Sequence, residues 1–310
     1  HRSVGQGEPD VLLVPGDDPS RVEALVELLR GQGIRVERAG RAFRTNTTPY
    51  DGFASRREFP AGTYRVPARQ THGRLATTLL QPETVLEATF SYDVSAWSLP
   101  FAYGVEAHRA DRVPDAGWQP VEETILVASE PVSSKASEPY GYLVAPSFSA
   151  WPSLVRFLEA GGRGVVLDQP VQVDGKAWPV GTIFLSRFLN DGLSSRIEEA
   201  GLAASATAVA SGFTTEGADL GTNDAYRLEM PRVAVVSGDG VYPTSYGAHW
   251  FFLEQTLGLP FDAVPSDRVA TADLGRYDVI VLPDMGAAAL DARGLERLKS
   301  WVREGGTLVG

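Results

Sequence analysis

The sequence predicts an α/β fold: duplicated parallel-sheet α/β lobes followed by a further, smaller α/β unit. Two observations predict it. A strand–helix–strand pattern recurs three times in the 310 residues, and a nine-residue motif occurs twice. The pattern is clearest at 142–168. Leu143, Val144 and Ala145 form a short apolar run, ended by Pro146, which cannot donate to a ladder. Leu154, Val155, Phe157 and Leu158 then recur at helical spacing. Gly161 and Gly162 supply the left-handed stop of that helix, and Val165, Val166 and Leu167 the next strand. Strand, helix and strand in that order build a right-handed crossover, the unit of a parallel sheet.

Near the start, the run 11–14 is followed by helical apolar positions Val22, Leu25, Val26, Leu28 and Leu29, by Gly31 and Gly33, and by a strand at 34–36. Asp17 and Asp18 sit at that helix start, where acids favour the helix dipole. Near the end, the run 277–282 is followed by Leu295, Leu298, Trp301 and Val302, by Gly305 and Gly306, and by a strand at 307–309. The first two copies share more. Residues 59–67 (FPAGTYRVP) match 178–186 (WPVGTIFLS): an aromatic residue, proline, glycine-threonine and an alternating run. Each match leads into a helix, at 71–80 and at 191–200. From Pro15 to Phe59 is 44 residues, and from Pro146 to Trp178 is 32, so the first copy holds 12 more. The polar stretch 44–56 accounts for them as a surface loop. An internal repeat of this kind argues for two lobes that arose by duplication.

The chain divides accordingly into a first lobe with an aromatic-rich extension (8–139), a second, duplicated lobe (140–228) and a third α/β unit (229–310). The extension contains a strand at 124–128 and a connector at 131–139. In the third unit, 233–236 reads as a buried strand, 247–257 as a helix whose apolar face holds Trp250, Phe251, Leu253 and Leu257, and 261–264 and 279–282 as further strands. A strand followed directly by the last residue, Gly310, and a first residue, His1, that is neither Met nor part of a signal peptide lead to the expectation of a fragment of a longer polypeptide.

The net charge of −11 disfavours partners with phosphate backbones, so no nucleic acid is expected. No run of eighteen apolar residues exists, so no membrane span is expected. The absence of cysteine excludes disulfides, thiolate metal sites and a cysteine nucleophile from these residues. His72, His108 and His249 begin no zinc-binding pattern, and no nucleophile elbow or phosphate-cradling loop is present. The reading therefore assigns no catalytic residue, no metal ligand and no cofactor to this chain. The best binding candidate is the aromatic segment with Asp93, Trp97, Tyr103, Glu106 and His108, since tryptophan beside carboxylates suits sugar or peptide recognition. Packing between the lobes is the competing role for Trp97 and Tyr103.

On the stretches 59–67, 92–106 (YDVSAWSLPFAYGVE) and 249–283, the chain resembles the non-catalytic C-terminal region of long bacterial zinc carboxypeptidase-like proteins, which end in a class I glutamine amidotransferase-like domain. The resemblance implies that the third unit is an incomplete flavodoxin-like, amidotransferase-like domain. It implies a zinc-bearing peptidase domain upstream in the same polypeptide as partner, and a secreted or periplasmic location. The expected role is an accessory region that supports the peptidase domain or binds peptide or envelope material. The alternatives are a carbohydrate- or peptide-binding module or hydrolase using the 97–106 face, and a structural or assembly protein. No catalytic residue carries over, because neither the zinc ligands nor the cysteine nucleophile has a counterpart here.

Overall fold

The structure, a computed structural model, describes residues 7–83, 98–122, 139–221 and 225–310. The expected strand at 124–128, all but the last residue of the connector, and the candidates Asp93 and Trp97 lie outside the described residues. The chain forms two compact units, His1–Ala128 and Ser129–Gly310.

The first unit runs β1 (Asp10–Val14), α1 (Pro19–Gly31), β2 (Glu37–Arg38), β3 (Phe43–Pro49), β4 (Ser55–Phe59), β5 (Tyr64–Val66), α2 (Gly73–Leu80), α3 (Leu99–Tyr103), β6 (Glu106–Ala110) and β7 (Gln119–Pro120). Helix α1 starts where the sequence places it. Pro19 fills its first turn, and the Asp18 carboxylate accepts the Ser20 N–H at 3.2 Å. Its buried face of Val22, Leu25, Val26 and Leu29 packs on Val11 and Leu13 of β1, while Leu12 and Val14 face a second cluster with Phe43 and Phe59. The sheet order is β4-β3-β6-β1-β5-β2-β7, and each neighbouring pair is antiparallel.

The second unit opens with β8 (Gly141–Val144), α4 (Trp151–Glu159), β9 (Gly164–Leu167), β10 (Val171–Val173), β11 (Lys176–Trp178), β12 (Ile183–Ser186), α5 (Leu193–Glu199), β13 (Ala206–Val209) and β14 (Ala225–Leu228). Its five-stranded sheet has the order β13-β8-β12-β9-β14, again antiparallel at each step. The expectation of parallel-sheet lobes is thus corrected. In each lobe the helix does join two strands of like direction, β1 to β2 and β8 to β9. These strands do not pair with each other, because β5 or β12 returns between them in the opposite direction. An apolar run fits a buried strand of either direction, so periodicity alone does not reveal the insertion.

The two lobes use the same local devices. In the matched motif, the Pro60 carbonyl accepts from the Thr63 N–H at 3.3 Å and from its hydroxyl at 2.8 Å; Pro179 and Thr182 do the same at 3.2 and 2.7 Å. Gly62 and Gly181 occupy the third position of this turn with φ of 89° and 85°, where a side chain would be strained. The turn pairs with the strand beside it through Gly62 N–H to Ala39 O (2.8 Å) and Ala39 N–H to Thr63 O (2.9 Å). In the second lobe the bonds are Gly181 N–H to Leu167 O (2.9 Å) and Leu167 N–H to Thr182 O (2.8 Å). A side-chain amide then clamps each lobe. Gln70 accepts the Arg35 N–H at 2.6 Å and donates to the carbonyls of Arg35 (3.1 Å) and Pro67 (2.7 Å). Asn190 accepts the Arg163 N–H at 2.8 Å and donates to the carbonyls of Arg163 (2.8 Å) and Ser186 (2.9 Å).

The 12-residue difference is not a loop. The stretch 44–56 belongs to the β3–β4 hairpin, whose Thr48 and Pro49 pair with Arg109 and His108 of β6. Its Thr45 and Thr47 are buried while Arg44 and Asn46 are exposed, the alternation of a strand with one covered face.

The remainder of the second unit is a parallel sheet: β15 (Val233–Ser237), α6 (Pro243–Trp250) continuing as a π-helical turn (Phe251–Leu257), β16 (Phe261–Pro265), β17 (Val279–Val281), α7 (Ala292–Arg303) and β18 (Thr307–Val309), in the order β16-β15-β17-β18. The helix at 247–257 starts earlier than expected, and Trp250 and Phe251 are exposed rather than inward. Hydrogen bonds five residues apart widen the turn, and Tyr246 of α6 with Leu253 and Leu257 of the turn pack on the inner face. Gly161 and Gly305 end α4 and α7 with φ of 78° and 107°. The glycine after each has its Cα against a helix ring, so a Cβ on Gly162 would lie 2.3 Å from Phe157 and one on Gly306 2.2 Å from Trp301.

Asn190 is 1% exposed, so Asn190→Ala leaves three backbone groups short of a partner. Urea unfolding is expected to show a loss of about 2 kcal/mol. Gln70→Ala, at a half-buried position, is expected to cost less. Equal stability of Asn190→Ala and the parent chain would rule out the clamp as a stabilising element.

Candidate functional site

Of the five binding candidates, three fall in the described residues, and β6 with the α3 segment before it positions them. Glu106 and His108 lie two apart on β6 and so project to one face of the sheet. Arg57, on β4, stands opposite Thr45, which puts its side chain on the same face as Thr47. These elements bring four side chains together. The Thr47 hydroxyl lies 3.2 Å from His108 Nδ1, and His108 Nε2 lies 2.8 Å from Glu106 Oε1. Arg57 Nη1 lies 3.1 Å from His108 Nε2, while Arg57 forms an ion pair with Glu106, its Nη2 donating to Oε2 at 3.3 Å. With the proton on Nε2, His108 donates to Glu106 and Nδ1 accepts the Thr47 hydroxyl, which satisfies both ring nitrogens. Phe59 closes the site, its ring edge-on to His108 at 5.1 Å and 5.6 Å from the Arg57 guanidinium carbon.

Hydroxyl, imidazole and carboxylate in series is the order of a hydrolytic relay. Access decides against that chemistry. Thr47 is 3% exposed and His108 1%, so neither a nucleophile nor a base meets a substrate. Burial alone would push the Glu106 carboxyl up. The hydrogen bonds from His108 and Arg57, with the charges behind them, outweigh it and hold the carboxyl below its ordinary value. A carboxylate that is both ion-paired and hydrogen-bonded holds a structure together: it fastens the β3–β4 hairpin to β6.

Tyr103 ends α3 and packs against the core of the first lobe. Its backbone carbonyl faces Arg21 Nη1 at 3.5 Å, and burial pushes its phenol up. Among the described residues, no hydrogen bond joins Tyr103 to the Glu106–His108 group. The sequence reading missed Arg57 and Thr47; the alternation of Thr45 and Thr47 with charged or amide residues was the available signal. His72 occupies the N-cap position of α2 without a side-chain capping bond, and His249 Nδ1 bonds the Ser245 carbonyl at 2.8 Å within α6. Among the described residues, no three His, Asp or Glu side chains are grouped as a metal ion requires. No described helix is long and apolar enough to cross a membrane.

A carboxyl whose folded pKa is lowered contributes stability that is full above its unfolded value, near 4.5, and is lost as the pH falls through the folded value. Glu106→Gln is expected to be less stable than the parent at neutral pH by at most about 1 kcal/mol, since the pair is partly exposed and screened. Thermal unfolding across pH 7 to 3 should show the difference closing as the pH drops below about 4.5; a gap that widens on acidification contradicts the assignment. No protein-family model, curated protein or solved structure matches the chain.

Proposed function

We infer that this chain is a non-catalytic accessory region of a secreted zinc carboxypeptidase-like protein, with the peptidase chemistry in another domain of the same polypeptide. The observation that carries the reading is the state of the hydrolase-like group found among the described residues. His108 is buried, both its nitrogens are engaged, and its carboxylate partner is neutralised by Arg57. Other buried polar side chains likewise bond the backbone: Thr63 and Thr182 in the turns, Asn190 in the second-lobe clamp, and Thr45, whose hydroxyl reaches the Arg112 carbonyl at 2.6 Å. Side chains used this way support architecture rather than turnover.

The lobes arose by duplication in this reading. Three features they share support it: the antiparallel order around the inserted strand, the proline–glycine–threonine turn, and the amide clamp. The parallel sheet with strand order β16-β15-β17-β18 follows the first four strands of the flavodoxin-like order, which supports an amidotransferase-like third unit. The role is to support the peptidase domain or to bind peptide or envelope material outside the cytoplasm.

The purified chain is expected to carry no stoichiometric zinc by elemental analysis and to release no C-terminal residue from blocked dipeptides. Stoichiometric zinc together with turnover would falsify the accessory reading.

A further inference from the structure

The first lobe holds an open cavity of about 450 Å³ whose lining includes Glu8, Asp10, Arg35, Arg65, Arg69 and Asp111. Its floor is fixed. Arg65 reaches Asp10 through Nε at 2.8 Å and Nη2 at 2.6 Å, and Glu37 through Nη1 at 3.5 Å; its guanidinium lies 5.6 Å over the Trp118 ring. The other Asp10 oxygen accepts the Ala68 N–H at 2.9 Å. The lining carries charge of both signs. Asp10 pairs with Ala110, so Asp111 lies beside the segment leading into β1, next to Glu8. Arg35 Nη2 donates to the Arg69 carbonyl at 3.5 Å, which sets the two arginines side by side, and Arg35 Nε lies 3.6 Å from Glu37 Oε1, so the guanidinium left for a ligand is chiefly that of Arg69. Among the described residues, the side chains of Glu8, Asp111 and Arg69 have no hydrogen-bond or ion-pair partner.

The second lobe closes the same place. Counted from the shared glycine–threonine turn, Arg65 corresponds to Phe184 and Arg69 to Phe188; the strand register sets Gly141 where Asp10 stands. There Tyr140 stacks on Phe184 at 5.8 Å and meets Phe188 edge-on at 5.7 Å, and a Cβ on Gly141 would lie 2.4 Å from the Phe184 ring. One backbone frame is filled with rings in one lobe and kept open, with charge of both signs, in the other.

We propose that the first-lobe cavity binds a small zwitterion of the amino-acid class, its carboxylate held by Arg35 and Arg69 and its ammonium by Glu8 and Asp111. A single exposed ion pair contributes little, so recognition requires pairing at both poles of the ligand. The site stands independently of the accessory reading. The test titrates the whole chain with L-alanine, N-acetyl-L-alanine and L-alaninamide and follows backbone amide shifts. L-alanine is expected to saturate, with shifts confined to residues around the cavity, and each blocked compound to bind at least roughly tenfold more weakly. Arg69→Ala and Asp111→Asn, both at exposed positions with no side-chain partner, are expected to keep the amide spectrum of the fold and to weaken L-alanine by about tenfold each. Absence of saturation by L-alanine, equal affinity for a blocked compound, or unchanged affinity in both variants overturns the proposal.

Discussion

Each lobe depends on seating one antiparallel strand between two strands that a helix has already joined. Both edges of that slot carry backbone donors and acceptors, and leaving them buried without partners would cost far more than any single contact returns. The returning strand satisfies both edges at once: β5 bonds β1 and β2, and β12 bonds β8 and β9. It enters through the proline–glycine–threonine turn, whose threonine is fully buried in both lobes. A hydroxyl at 0% exposure is tolerated because the proline carbonyl of the same turn accepts it. The amide clamp then fixes the far end, tying the loop that leaves the strand to the segment that follows the crossover helix.

The first-lobe hairpin is added to this frame, and its polar chemistry follows from that position. A two-stranded extension beyond β6 buries one face against the sheet with few large apolar side chains available. Phe43 and Phe59 stack at 5.3 Å at its base; beyond them the covered face is Thr45, Thr47 and His108. Each of these finds a hydrogen-bond partner, and Arg57 closes the group from the solvent side while balancing Glu106. A set of residues that looks reactive by type is thereby explained by the requirement that covered polar groups be paired.

The apolar strands β1, β8, β9, β15, β16, β17 and β18, the long helices and the glycine stops were legible because each has a local cause: apolar periodicity, a proline or aspartate at the helix start, a left-handed residue at the end; the strand expected at 34–36 starts later, as β2 at Glu37. The matched turn was legible because 59–67 and 178–186 share the residues its geometry requires. Strand direction was not, since an apolar run such as Ile183–Ser186 is equally suited to a parallel or an antiparallel neighbour. The hairpin was read as a loop because its composition is polar, although its alternation is that of a strand. Trp250 and Phe251 were placed on the apolar helix face together with Leu253 and Leu257, and both are exposed where α6 passes into the π-helical turn. In the candidate site, the Glu106–His108 pair was visible as two residues on one strand. Thr47 and Arg57 lie 61 and 51 residues away from His108, and only the fold brings them there.

The contrast between the lobes bears on why the first keeps its charges. Replacing a partly buried ion pair with packed apolar side chains is commonly neutral or favourable for stability, because desolvation offsets the Coulomb attraction. The second lobe already shows that this frame accepts such a replacement: Phe184 and Phe188 occupy the positions of Arg65 and Arg69, Gly141 that of Asp10, and Tyr140 packs on both rings. Stability therefore gives no reason for Arg65 to be held by Asp10 and Glu37 over Trp118, at 25% side-chain exposure, beside an open cavity. A guanidinium fixed by two carboxylates and a ring makes a rigid floor beneath the cavity, and a rigid floor lowers the ordering cost of binding rather than that of folding.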